Sequence, residues 1–213
     1  MALKHVKEDC YVGSIDLRHA YYSVSIAEED QKYLRFIWKE FYFQYSCLPN
    51  GLTSAPRLFT KLMKPVFATL RQYGYKNAGY IDDSLLIGDT EEECESNIKD
   101  TDTLLKCFVV HEEKSVFKPT KQIIYLANII DSSSMTVKLP EEKIKRIIEE
   151  CHALIKKSKA TIRLVSRVIG LLVSSFSAVE YGPLHYRNLE MNIIDALKLS
   201  AGKFDTEMNI TFI

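Results

Sequence analysis

Two adjacent carboxylates, Asp82 and Asp83, stand between apolar arms, Gly79-Tyr80-Ile81 before them and Ser84-Leu85-Leu86-Ile87 after. Residues 78–81 and 84–87 read as short strands, the second ending at Gly88, so the acids fall at the tip of a tight hairpin. A third carboxylate, Asp16, ends the apolar run Val12-Gly13-Ser14-Ile15 and precedes Leu17. Like charges side by side repel, and each is costly to bury unpaired. A divalent cation removes that conflict. Adjacent aspartates on a rigid turn, with a third from elsewhere, are what a Mg²⁺ site for phosphoryl transfer requires. The plainer reading is a surface turn whose aspartates bond nearby amides and face water. The apolar arms, and the matching setting of Asp16, weigh against it.

The elements that must hold these acids read as follows. Residues 27–30 open a helix, with acids at the positive end of its dipole. Residues 33–38 and 41–45 are aromatic-rich and read as paired strands. Cys47-Leu48-Pro49-Asn50-Gly51-Leu52 is a turn, followed by a helix capped by Thr53 or Ser54 with Pro56 in its first turn. The helix stripe Leu58, Phe59, Leu62, Met63, Val66, Phe67 and Leu70 reads as core, and Pro65 inside it predicts a kink or break. Thr90-Glu91-Glu92-Glu93 reads as a capping box for a helix burying Cys94, Ile98, Thr101, Leu104, Leu105 and Phe108. Residues 109–110, 115–117, 123–130 and 135–139 read as short strands, with a loop at 131–134. At Pro140 the texture turns helical: Ile144, Ile147, Ile148, Cys151, Leu154 and Ile155 mark one amphipathic helix, and Thr161 caps a second. Beyond Tyr181 the signals fade, and the last dozen residues read as loosely held.

The 213 residues suffice for one good core, or for a core with a small appendage. A formal net charge of zero does not advertise a nucleic-acid binder. Lys143, Lys145, Arg146, Lys156, Lys157, Lys159, Arg163 and Arg167 nevertheless face only Glu149 and Glu150 in their stretch. That is either a local basic surface or a solvated helix face. Five widely spaced cysteines, without Cys-x-x-Cys, argue against a disulfide framework or zinc site and fit a reducing compartment. No secretory leader or bilayer-length apolar run is visible. The expected location is intracellular, in cytoplasm or nucleus, with no membrane partner.

Several motifs together resemble the reverse transcriptases. Tyr80-Ile81-Asp82-Asp83 looks like their catalytic tetrapeptide, and Asp16-Leu17-Arg18-His19-Ala20-Tyr21-Tyr22 like their first acidic motif. The stretch from Leu48-Pro49-Asn50-Gly51-Leu52 to Arg57-Leu58-Phe59 is similar to the segment lining their nucleotide pocket. His111-Glu112-Glu113-Lys114-Ser115 is similar to their lysine-bearing turn, and Tyr125-Leu126-Ala127 sits where they have the primer grip. The Leu-Pro-Asn-Gly form, with residues 168–176 and Tyr181-Gly182-Pro183-Leu184, is most similar to the DIRS-type tyrosine-recombinase retrotransposons. Other palm-type polymerases and nucleotide cyclases share paired acids on a hairpin but not the segment at 48–59.

The resemblance implies an α+β fold: a polymerase palm, a ferredoxin-like antiparallel sheet backed by helices, over residues 1–139, then a small helical thumb over 140–180. Residues 181–213 would form a tail leading towards a ribonuclease H segment. The implied activity is RNA-directed DNA synthesis from an RNA template, a DNA primer and deoxynucleoside triphosphates. It implies two Mg²⁺ ions, with Mn²⁺ as a substitute, on Asp16, Asp82, Asp83 and the Leu17 carbonyl. Tyr21 would be the steric gate against a ribose 2′-hydroxyl, unless it is a core tyrosine beside Tyr22. Arg18, Asn50 and Gly51 would meet the incoming nucleotide, although Asn50 also reads as a plain Asn-Gly turn. Lys114 would approach the triphosphate, or be a surface lysine. Tyr80, Arg57, Leu126, Ala127, Lys156 and Lys157 would contact primer and template.

Three departures from the family pattern stand out. Only fifteen residues precede Asp16, so the fingers region is expected to be largely missing. Cys107 and Ala127 stand where the family has glycine, which strains the backbone wherever φ must be positive. The alternative function is a truncated, inactive remnant that binds nucleic acid or protein, with ribonuclease H and recombinase segments of a polyprotein as further partners.

Overall fold

The computed structural model describes residues 2–210, the side chain of Ala2 excepted. In chain order the elements are β1 (Tyr11–Arg18), α1 (Glu28–Gln31), β2 (Arg35–Trp38), β3 (Phe41–Gln44), α2 (Ala55–Gln72), β4 (Lys76–Tyr80), β5 (Asp83–Gly88), α3 (Glu91–Leu104), β6 (Val109–Val110), β7 (Val116–Thr120), β8 (Gln122–Tyr125), β9 (Asn128–Asp131), β10 (Thr136–Lys138), α4 (Glu141–Ile155), β11 (Lys159–Thr161), α5 (Ile162–Val173), α6 (Gly182–Leu199) and β12 (Glu207–Asn209). The architecture is α+β. Its contacts divide it into two units, residues up to Leu126 with Asp131–Met135, and Ala127–Ile130 with the chain from Thr136 onward.

The first unit is built on an antiparallel sheet in the order β4-β5-β1-β6, with β7 also pairing with β1. The central strands β1 and β5 are buried along most of their length. That explains their near-continuous apolar runs, since a strand covered on both faces has no polar face to alternate with. Ile15, Leu17 and Leu86 pack with Phe59, Met63, Phe67 and Leu70 of α2 and with Cys94 and Ile98 of α3. Gly79 of β4 is required by close approach: a Cβ there would collide with the Phe67 ring.

Two readings of α2 need correcting. Pro65 does not break it; the helix runs unbroken through 18 residues. Pro65 lies on the exposed side, where water can replace the bond that its ring removes. The apolar stripe is also narrower than its sequence suggests. Leu58 and Leu62 are 45% and 46% exposed and, with Pro65, line an apolar groove of about 680 Å³ beside Val24, Leu48 and Leu52. Ser54 takes the cap position but makes no side-chain cap bond. Thr90 caps α3 at the expected position, its Oγ1 accepting from the Glu93 amide, while the return bond from Glu93 goes to the Asp89 amide rather than to that of Thr90.

Residues 123–130, expected as one strand, are split into β8 and β9 at Leu126 and Ala127, whose φ angles are 47° and 58°. A turn through the left-handed region cannot be seen in apolar periodicity. Ala127 therefore does occupy a backbone that favours glycine, whereas Cys107 does not.

In the second unit, α4, α5 and α6 enclose Leu154, Ile162, Val165, Val168 and Ile193, and Met208 of β12 joins them. Thr161 caps α5 by accepting from the Leu164 amide. Past Tyr181, where the sequence signals fade, the chain forms the 18-residue α6 and then β12, which pairs with β11. The helix was hard to read because few of its side chains are buried, leaving only a faint apolar stripe. Residues 211–213 of the expected tail lie outside the described residues. The basic stretch is partly neutralised: Arg163 pairs with Asp205, Arg167 pairs with Glu150, and Lys143 donates to the Ser174 carbonyl at 2.8 Å. Lys159 lies on β11 rather than on a helix. Among the described residues no helix is long and apolar enough to cross a membrane.

Asn77 of β4 is 3% exposed, and neither its amide nitrogen nor its oxygen has a partner. An unpaired buried amide costs about 1–3 kcal/mol. Asn77→Leu, close in shape, should therefore raise stability by about that amount, read as a higher urea midpoint at unchanged slope.

Candidate active site

The register of β1 against β5 sets Asp16 directly opposite Asp83. The Leu17 amide donates to the Asp82 carbonyl at 3.0 Å. The backbone groups of Asp16 point the other way: its carbonyl accepts from the His111 amide at 2.8 Å, and its amide donates to Ser115 Oγ at 3.0 Å. Asp16 and Asp83 thus form a non-hydrogen-bonded pair, the kind whose Cα atoms approach to about 4.5 Å with side chains closest together. Burial first, then hydrogen bonding towards the Asp16 carboxyl, then the charges of Asp82 and Asp16 push the Asp83 carboxyl up to about 6, with Lys114 pulling the other way. Asp16 was expected to end its strand. It lies inside β1 instead, because Leu17 and Arg18 go on to pair with Val110 and Val109.

The hairpin turn is strained. Ile81 has φ 56°, a region that a β-branched residue rarely adopts. A left-handed non-glycine residue costs roughly 1–2 kcal/mol, and the Ile81 side chain is anchored against the core of the first unit. The turn presents Asp82 to a cleft of about 230 Å³, shared with His19, Tyr21, Tyr22 and Asn50. Tyr21 is held edge-on to Phe59 at 5.9 Å between ring centroids, and Phe59 edge-on to Phe108 at 5.8 Å. Burial, then the Asp82 charge, then Tyr80, raise the Tyr21 hydroxyl above the usual tyrosine range. Asn50 donates to the Tyr22 hydroxyl at 3.1 Å, and Gly51 beside it has φ 91°. Asn50 is thus both a turn residue and part of the cleft wall.

Asp16, Asp82, Asp83, Tyr21 and Asn50 are therefore gathered in the first unit, with Lys114 close enough for its charge to act on Asp83. Arg18 ends β1 and Arg57 lies in the first turn of α2, both exposed. Tyr80 ends β4 and is 57% exposed. Leu126 is exposed at the β8–β9 turn, while Ala127, Lys156 and Lys157 are exposed residues of the second unit. Three contributors escaped sequence reasoning. Ser115 bonds the Asp16 amide, Tyr22 takes the Asn50 amide, and Tyr125 donates to the Ala78 carbonyl at 3.4 Å. The charge of Asp83, after burial, raises the Tyr125 hydroxyl. Each sits inside a motif already singled out, but only long-range pairing reveals what it touches.

Among the described residues no group of three His, Cys, Asp or Glu side chains forms a metal cage. The arrangement is an open pair of facing carboxyls with a third on the adjoining turn. Such hard oxygen donors suit Mg²⁺, which keeps several waters and takes one or two carboxylates.

A family model described as reverse transcriptase (RNA-dependent DNA polymerase) matches residues 1–130. The chain belongs to that family. A polyprotein of Cassava vein mosaic virus is 27% identical over 163 residues, covering 76% of this chain and 24% of the viral protein. The retrovirus-related Pol polyprotein from transposon gypsy of Drosophila melanogaster is 26% identical over 154 residues, covering 70% of this chain and 14% of the polyprotein. The chain thus spans a quarter or less of these relatives. The same fold occurs in the foamy viral protease-reverse transcriptase. Its complex with double-stranded DNA aligns with a TM-score of 0.71 at 18% identity over 100% of this chain and 35% of that one. Its complex with an RNA/DNA hybrid aligns at 0.68 and 20% identity over 95% of this chain and 25% of that one. By family the chain is a reverse transcriptase domain.

The raised Asp83 carboxyl gives a signed expectation for the metal-free protein. Folding favours its protonated form, so this group's contribution is full below 3.8 and is lost as pH rises through about 6. Asp83→Asn should match wild type in melting temperature near pH 4 and exceed it above pH 6. At pH 7.5, millimolar Mg²⁺ should raise the melting temperature of wild type more than that of the variant. Parallel melting curves across this range would contradict the arrangement.

Proposed function

We propose that this chain carries the polymerase core of a retroelement reverse transcriptase, extending a DNA primer on an RNA template with deoxynucleoside triphosphates. The observation that carries the reading is the Asp16–Asp83 pair beside the strained turn bearing Asp82, inside the segment matched by the family. Asp16 and Asp82 would hold two Mg²⁺ ions, or Mn²⁺ in their place, with the Leu17 carbonyl and Asp83 in support. Bound there, the ions would neutralise charge on the phosphate being transferred.

The protein's own groups do the rest. The open carboxyl pair leaves room for phosphate oxygens and water beside it. The Lys114 ammonium, close enough to act on Asp83, gives a proton from Nζ to the departing pyrophosphate. The Tyr21 ring, braced by Phe59, forms the floor of the sugar site and excludes a 2′-hydroxyl. Arg18, Asn50 and Gly51 contact the nucleotide, with Tyr22 holding Asn50. Tyr80, Arg57, Leu126 and Ala127 contact primer and template.

On this reading residues 1–139 would be the palm, and residues 140–180, with α4 and α5, a thumb whose Lys156 and Lys157 follow the duplex backbone through phosphate contacts. The foamy viral relative was solved with an RNA/DNA hybrid and with double-stranded DNA, which supports the same classes of partner here. The sequence forms at 48–52, 168–176 and 181–184 support a DIRS-type element as the source, with other polyprotein segments as neighbours and an intracellular site of action.

Primer extension on poly-rA with an oligo-dT primer and Mg²⁺ tests the reading. Wild type should extend, and Asp82→Asn should lose at least about a hundredfold in rate, as expected when an oxygen ligand is removed. Equal extension by both proteins would remove Asp82 from the chemistry. No extension by either, with template still bound, would favour a truncated module that only binds. In the same assay Tyr21→Val should raise ribonucleotide incorporation about 10- to 100-fold relative to deoxynucleotide. Unchanged sugar selectivity would exclude the gate.

A further inference from the structure

Along the edge of β1 that faces away from β5, the strand ladder is interrupted at Asp16. On one side Leu17 and Arg18 pair with Val110 and Val109 of β6; on the other Ser14 and Val12 pair with Val116 and Thr120 of β7. Five residues separate Val110 from Val116, against two separating Leu17 from Ser14. The surplus folds out as the turn at 112–114, which carries Lys114. A strand interrupted in this way leaves its inner amide without a carbonyl opposite, and a buried amide rarely stays unpaired.

The gap is closed by one side chain. Ser115 Oγ accepts from the Asp16 amide at 3.0 Å and donates to the His111 carbonyl at 2.9 Å. That same carbonyl accepts the amides of Lys114 and Ser115 at 3.1 and 3.0 Å, and the His111 amide donates to the Asp16 carbonyl at 2.8 Å. The hydroxyl thus ties the backbone of Asp16 to the root of the lysine turn. All of these groups belong to the first unit.

We infer that Ser115 is a positioning residue: its hydroxyl stands in for the missing strand carbonyl, fixes the Asp16 backbone so that its carboxylate faces Asp83, and couples that carboxylate to the turn bearing Lys114. The inference rests on the polymerase reading of the Asp16–Asp83 site and adds to it the group that sets the site's geometry. A serine that merely closed its own turn would matter for local stability alone. A serine that holds Asp16 must also matter for metal affinity and turnover. The hydroxyl is needed for its acceptor, so threonine should replace it and alanine should not.

Three readouts separate these roles. The first is binding of Mn²⁺ alone, without nucleotide or primer, followed by water-proton relaxation. Ser115→Ala should weaken it about tenfold, the scale on which supporting groups act on metal ligands, and Ser115→Thr should return it to within about threefold. The second is exchange of the Asp16 amide by NMR, which should quicken at least about tenfold in Ser115→Ala and not in Ser115→Thr. The third is primer extension, where Ser115→Ala should lower kcat about tenfold with KM for deoxynucleotide within about twofold.

Wild-type Mn²⁺ affinity and amide exchange in Ser115→Ala would overturn the inference, as would a Ser115→Thr variant no better than alanine. Should Ser115→Ala fail to fold, Ser115→Cys fills the same space with a much weaker acceptor and is held to the same outcomes. If wild type itself does not extend primers, the polymerase reading fails, while metal binding and amide exchange still decide the role of Ser115.

Discussion

The antiparallel pairing of β1 with β5 is the constraint on which the remaining structure turns. It joins residues more than sixty positions apart and sets two carboxyls face to face at the end of its ladder, beside the hairpin turn. A one-residue slip would send every side chain of a strand to the opposite face. Burial on both faces prevents this: Val12, Ile15 and Leu17 on one strand and Leu85, Leu86 and Ile87 on the other are all essentially inaccessible. The core therefore works chiefly as a register lock. Its apolar area specifies which residues meet, and the acids inherit their position from it.

What the lock enforces is unfavourable by itself. Half-buried carboxyls are pressed together, a β-branched residue is held in a left-handed turn, and a strand ladder is broken beside the acidic pair. These costs fall within a few residues of Asp16 and Asp83, while α2 beside them runs unbroken and α3 is capped by Thr90. Strain of this kind persists only where the surroundings over-determine it. Here Phe59, Phe67 and Ile98 supply that excess from two helices.

Much of this was visible from residue types. The hairpin at 76–88, the aromatic pair of strands, the helices from Ala55 and Glu91, and the Thr161 cap follow from periodicity and capping chemistry. The acids at 16, 82 and 83 were recognisable because apolar strands around unpaired carboxylates are costly for any purely structural purpose. Other features depend on information that a linear pattern does not carry. Pro65 is tolerated because of which side of α2 it occupies. Leu58 and Leu62 face outward because a wide stripe need not be wholly covered. Leu126 and Ala127 adopt left-handed backbone with no glycine to signal it. The helix Gly182–Leu199 hides because so little of it is buried. The partner of the Asp16 amide lies 99 positions along the chain, a separation at which local reasoning has no purchase.

The β2–β3 hairpin has a consequence for handling the protein. It is a two-stranded sheet by itself among the described residues, and Ile37, Trp38, Phe41 and Tyr42 are each more than 60% exposed. Bare edges of that composition recruit further strands, and a chain of zero net charge has little long-range repulsion to keep copies apart. Colloidal behaviour in dilute buffer will then be governed by this ribbon, and turbidity on concentrating a sample would report on its stickiness while the acidic centre stayed intact.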